Sequence, residues 1–267
     1  MRSTKAGREP EVRYYTDLVN QEFSGITRPH KEIGDDYPYI HKNPLWNACA
    51  FFLFHFIAAP LVLVGCKLRY HLRIVNRNVI KPFRRRSYFL YGNHTHAPGD
   101  GFFPTCIVFP RKPYEIATAD NVALPGLENA LVMVGVMPLP TRPSGLSNFM
   151  NALETRVKRG EPIVIFPEAH IWPFCTFIRP FPATSFRYPV MWDVPAFCFT
   201  VTYQDRRFSD RPRITIYVDG PFYPDRSLSP RESREDLRDR IYRRMCERSK
   251  NNTYVKVEYK RKEAALT

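Results

Sequence analysis

An apolar run, Tyr88 to Tyr91, ends in Gly92-Asn93-His94-Thr95-His96-Ala97-Pro98-Gly99-Asp100, a turn carrying two imidazoles and a carboxylate. Chemistry collects at the carboxyl ends of strands in open α/β sheets, where turns expose side chains. There a His and an Asp can act as base and orienter: the carboxylate fixes the imidazole tautomer and stabilises the imidazolium once a proton is taken. Five residues separate His94 from Asp100, and three separate His96, the rival base, from it. The same residues allow blander readings, with Asp100 as a cap or either His exposed on a loop. They also allow zinc, with His170 added to the set. No second group of clustered ligands follows, so a base–orienter pair is preferred and no metal is expected.

Three more segments share this design of an apolar run ending in a polar turn. Ile163 to Phe166 runs into Pro167-Glu168-Ala169-His170, Gly135 to Leu139 delivers Arg142, and Val194-Pro195 precedes Ala196 to Tyr203.

The elements that must position these residues are readable from periodicity. Tyr88–Tyr91, Tyr114–Ala119, Met133–Met137, Ile163–Phe166, Ala196–Tyr203 and Arg213–Val218 are rich in β-branched and aromatic residues and predict strands. Ser147–Arg159 predicts an amphipathic helix with Leu146, Phe149, Met150, Leu153 and Val157 on one face, closed by Gly160. Ser229-Pro230-Arg231-Glu232 is a capping box opening a basic helix that reaches about Asn251. The expected fold class is α/β: a mixed, mostly parallel sheet flanked by helices, preceded by an N-terminal membrane-embedded helical segment.

Three regions follow: a polar lead-in over 1–43, the apolar segment over 44–66, and one domain over 67–267. The lead-in predicts loose order with one short helix around Glu11–Phe23. Leu45 to Cys66 holds 22 residues without Asp, Glu, Lys or Arg. At ~1.5 Å per residue it is long enough for a bilayer core. Trp46 marks one boundary, and Arg28, Lys31 and Lys42 before it match Lys67, Arg69 and Arg73 after it. Positive charge on both flanks, with Pro60 inside, favours a kinked or re-entrant monotopic segment over a single crossing. The polar beginning predicts no signal peptide, and six scattered cysteines suit free thiols, so a cytoplasm-facing membrane protein is expected. The formal charge of +14 fits anionic lipid and donor phosphates; the apolar segment and the lack of a nucleic-acid motif argue against nucleic acid as partner.

Taken in order, Asn93-His94 through Asp100, Gly135–Arg142, Phe166-Pro167-Glu168 and Val194-Pro195 resemble the blocks of the glycerolipid acyltransferase family, of the 1-acyl-glycerol-3-phosphate acyltransferase kind. Those blocks read N-H-x-S-x-x-D, a Gly-to-Arg strand motif, F-P-E-G-T-R and a V-P strand. The resemblance spans roughly Leu68 to Tyr203 and departs in two places. Five residues separate His94 from Asp100 instead of four, and Ala169-His170-Ile171 stands where Gly-Thr-Arg is usual. The resemblance implies acyl transfer from acyl-CoA or acyl carrier protein to a hydroxyl of a glycerol-based lysophospholipid, without a cofactor. In it His94 is the general base, Asp100 its orienter, and backbone amides hold the oxyanion. Arg142, alone or with Arg179, meets the acceptor phosphate, and Glu168 and His170 read the acceptor. The alternative is a catalytically inactive membrane-bound lipid-binding protein on the same fold.

Overall fold

In the computed structural model, which describes residues 9–25, 29–207 and 209–262, the apolar runs become strands. In chain order these are β1 (Glu11–Tyr15), β2 (Arg73–Val75), β3 (Tyr88–Gly92), β4 (Tyr114–Ala117), β5 (Val136–Pro138), β6 (Pro162–Ile165), β7 (Ala196–Arg206), β8 (Ser209–Phe222) and β9 (Val257–Arg261). Seven of them form one sheet in the order β2-β8-β7-β3-β6-β4-β5. Its neighbours run parallel except the antiparallel β7–β8 hairpin, so the sheet is mixed and mostly parallel as expected.

Helices cover both faces, which is why β3 and β6 read as unbroken apolar runs instead of alternating ones. On one face Phe89, Tyr91, Ile163 and Ile165 pack under the helices Gly145–Lys158 and Pro230–Ser249 through Phe149, Leu153, Leu237, Ile241 and Met245. On the other, Leu90, Val164, Phe197 and Phe199 share a core with Cys66, Cys106 and Ile107. Each large apolar side chain so buried contributes about 1.5–3 kcal/mol. The Ser229 capping box is present, with Ser229 and Glu232 exchanging side-chain-to-backbone bonds.

Several expectations are corrected. Glu11–Tyr15 is a strand, not part of a helix, because the chain's end supplies a parallel partner in β9. Nor are the described residues of the lead-in loose where they meet the domain: Ile33 and Tyr39 are core residues, and the Tyr39 hydroxyl donates to the Pro138 carbonyl at 2.8 Å. The Met133–Met137 strand shrinks to β5, since Glu128–Val134 is helical and stops at Gly135, whose φ of 115° suits glycine. On Gly145–Lys158, Leu146 is exposed and Arg156 is buried, which shifts the predicted inner face.

The apolar segment does not fold back. It is one 27-residue helix, Pro44–Tyr70, with mean hydropathy 2.3 in its most apolar window, of which only 22% is buried. Leu53–Ala58 widens into a π-turn just before Pro60, which has no N–H to give to a normal turn. Ala50, Phe54, Ala59 and Cys66 face the domain. Leu45, Phe51, Phe52, Phe56, Leu61, Val64 and Leu68 are exposed along the outer side. Arg28, expected as a basic flank, lies outside the described residues.

Candidate active site

β3 delivers the site, and its last residues explain the geometry. At Gly92 an added Cβ would lie 2.1 Å from the Phe199 ring, so glycine lets β7 press close. Asn93 then clamps the loop to β7, its amide donating to the Val201 carbonyl at 3.2 Å and its oxygen accepting the Val201 N–H at 2.8 Å. His94 follows, stacked on Phe166 (centroids 4.6 Å apart, planes at 23°), which rests edge-on against Phe199.

The extra residue in the loop does not part His94 from Asp100. The Asp100 N–H donates to the His96 carbonyl at 2.7 Å, which tucks the carboxylate back under the loop. One oxygen, Oδ2, meets His94 Nδ1 at 2.9 Å and accepts the His96 N–H at 2.8 Å. Asp100 is buried, while the His94 side chain retains 17% exposure. An Nδ1–H donated to Asp100 leaves the Nε2 lone pair as the basic position.

His96 is placed differently. It is buried among Tyr70, Phe103, Phe174 and Tyr203, and its Nδ1 accepts the Gly99 N–H at 3.2 Å. Burial lowers its pKa, against the opposing pull of Asp100. A Cβ at Gly99 would come within 2.4 Å of that ring nitrogen. His96 therefore packs and braces the turn. Among the described residues, no three His, Cys, Asp or Glu side chains gather closely enough to hold a metal ion.

Glu168 turns inward. Oε2 accepts the His94 N–H and Oε1 the Arg179 N–H, each at 2.9 Å, and the Arg179 guanidinium pairs with it at 3.3 Å. Burial raises the Glu168 pKa, opposed by Arg179 and these backbone donors. Arg179 is fully buried, also donates to the His170 carbonyl, and lies over Trp172. Expected at the acceptor, Glu168 and Arg179 are both engaged inside the protein, where they hold the His94 loop. Sequence reasoning did not pair them, because Arg179 lies eleven residues past Glu168 with no periodic signal.

Arg142 and His170 reach the surface. Arg142 is 61% exposed and paired with Glu32, beyond β5 and three strands from β3. His170 faces Glu22 at 3.4 Å from the lead-in. The structure does not bring Arg142 against the dyad. Glu115 of β4 was not foreseen. The protein packed round its carboxyl, and the negative charge of Asp100, push its pKa up to about 8. The N–H groups of His94, His96, Gly99 and Asp100 are all engaged within the protein, so an oxyanion needs other donors.

Among solved structures, nine chains match. One is the crystal structure of the 1-acyl-sn-glycerophosphate (LPA) acyltransferase PlsC from Thermotoga maritima, at TM-score 0.53 and 14% identity, covering 78% of this chain and 90% of that one. This chain shares that fold. Comparison by sequence finds no matching family and no matching curated protein. At such identity the likeness shows the fold alone.

Proposed function

We propose that this protein is a membrane-attached acyltransferase moving a fatty acyl group from an acyl thioester to a hydroxyl of a glycerol-based lysophospholipid. The observation that carries the reading is the 2.9 Å contact between His94 and buried Asp100 at the carboxyl edge of this sheet. His94 Nε2 takes the proton of the lipid hydroxyl as its oxygen attacks the thioester carbonyl carbon. The new C–O bond forms, the C–S bond breaks, and the departing sulfur takes the proton back from the imidazolium. A thiol pKa of about 8.5 makes the sulfur a ready leaving group, so no further acid is required. Glu168 and Arg179 act as positioning residues through the His94 backbone.

The test is direct. Full-length protein is incubated with labelled acyl-CoA or acyl carrier protein and a mixture of lysophospholipids, and the product is identified by mass. Product from the wild type and none from Asp100→Asn supports the reading; lipid binding without turnover favours the inactive lipid-binding alternative.

Membrane attachment belongs to the same proposal and is supported by the exposed apolar stripe of Pro44–Tyr70. A basic patch alone releases in high salt, since exposed charges are screened within about 10 Å at 0.1 M. Attachment through this stripe is expected to survive a 1 M wash, at roughly 3 Å screening length. Full-length protein that stays monomeric without detergent sinks it.

A further inference from the structure

The amino ends of β4 and β5, on the side of the sheet away from the dyad, border a largely enclosed cavity of about 40 Å³. Tyr114 stands opposite Ile163, which pairs next to the strand position of Phe89, five residues before His94. At ~3.3 Å per residue the cavity floor is therefore roughly 16 Å from His94 along the strand direction alone.

Its lining carries three cationic side chains, Lys112, Arg156 and Arg159, and an imidazole that burial and the nearby Arg156 and Lys112 push toward its neutral form. Lys112, Arg156, Arg159 and His41 contribute to the wall together with Tyr39, Tyr114 and Trp46, and the lining includes no carboxylate. The nearest acid in contact is Glu161, which pairs with Arg156 at 3.1 Å. Two buried side-chain nitrogens there have no partner, His41 Nε2 and the N–H of Arg156 Nε. Arg156 is itself buried, held by the Tyr39 carbonyl at 3.1 Å and stacked over Tyr114 at 3.8 Å. Leaving polar groups buried and unmatched costs free energy that a fitting ligand would recover. The Lys112 ammonium donates to the Met133 carbonyl at 3.0 Å and lies over the Tyr114 ring, with no acidic partner among the lining residues, and burial and the neighbouring Arg156 push its pKa down to about 8.

We propose that this cavity is a second ligand site that takes a phosphate group, carried by an anionic phospholipid headgroup or free in solution. Size and charge suit a tetrahedral oxyanion: the volume exceeds the ~10–15 Å³ that one water needs, and guanidinium and ammonium donors match phosphate oxygens. The headgroup source is favoured by what stands beside it. Trp46 and Ala50 of the apolar helix line the cavity, the Trp46 ring stacks on His41 at 4.1 Å, and the neighbouring Leu45 is 70% exposed. A lipid whose tails lie along the outer stripe would bring its phosphate to this wall. The inference does not depend on acyl transfer at His94.

The experiment is calorimetric titration of detergent-solubilised full-length protein with three probes: potassium phosphate, dihexanoyl phosphatidylglycerol and dihexanoyl phosphatidylcholine. Saturable binding is expected for phosphatidylglycerol, weaker for inorganic phosphate and weakest for the zwitterion. Lys112→Met is expected to weaken it about ten- to a hundredfold, as for a lost charge-assisted bond. His41→Gln provides an independent arm should Lys112→Met lose its native circular dichroism, and the exposed Lys158→Gln is the control expected to match wild type. Binding of inorganic phosphate alone that falls in these variants keeps the site and assigns a soluble source. No saturable binding, or an affinity untouched by both Lys112→Met and His41→Gln, overturns the proposal.

Discussion

The His94 loop and the surface that carries Arg142 and His170 are built to opposite standards. The His94 loop is fixed from every direction: Asn93 to β7, Glu168 to the His94 N–H, Phe166 against the ring and Asp100 on Nδ1. The Arg142 side has one exposed ion pair to Glu32, and His170 has one contact to the lead-in. A buried pair is costly to disturb, whereas a pair in water contributes about 0–1 kcal/mol and can be exchanged. The contrast separates a firmly held His94–Asp100 pair from a loosely held Arg142 and His170.

The sharpest way to break that comparison is His94→Ala. On the proposed mechanism it lowers acyl transfer by at least ~100-fold, within the usual range for a positioned base, with little change in melting temperature. His96→Ala is expected to do the reverse, costing packing more than chemistry. Steady-state rates and thermal melts on both variants decide it, and an active His94→Ala enzyme reassigns the base.

Next comes Arg179→Met, which strands the Glu168 carboxylate in the interior. Breaking one partner of a buried pair costs about 3–5 kcal/mol, readable in urea unfolding. If Arg179 served the acceptor instead, KM would rise while stability held.

A smaller effect concerns Glu115. Because its pKa in the fold is raised, its contribution to stability is complete below the usual glutamate range and is lost as pH rises toward about 8. Within that window the slope approaches about 1.4 kcal/mol per pH unit. Glu115→Gln is expected to flatten the decline of stability between pH 5 and pH 8; a variant that tracks wild type at each pH refutes it.

The smallest change is expected from Arg142→Ala, less than about 1 kcal/mol in stability, since both Arg142 and Glu32 are 61% exposed. With Ile171 in place of the usual Arg, preference for lysophosphatidic acid over neutral and zwitterionic acceptors should be modest. It should fall about tenfold in the variant if Arg142 meets the phosphate. A strong preference that survives the substitution removes both the loosened specificity and the role of Arg142.

What was legible in the sequence follows the same division. β3 and β6 announced themselves because strands buried on both faces need unbroken apolar runs, and the polar turns ending them pointed to His94 and Glu168. β1 and β9 were not legible, since each is a short polar-rich strand whose only signal is a partner about 246 residues away. The inward turn of Glu168 was hidden for a related reason: a carboxylate's direction depends on where Arg179 arrives, and local spacing does not encode it. Loop length was a misleading guide at the dyad, because the Asp100 N–H bond to His96 takes up the added residue.

The π-turn at Leu53–Ala58 sets the phase of everything after it. One added residue advances a helix by about 100°, and here it carries the buried line from Phe54 to Ala59, five positions on, before continuing to Cys66. Removing a single residue from that turn would leave composition and hydropathy almost untouched. Yet it would rotate the second half of the helix against the first, swinging Cys66 away from Cys106 and turning a new set of side chains toward the domain. The segment is therefore tolerant of substitution among apolar residues and intolerant of a change in count.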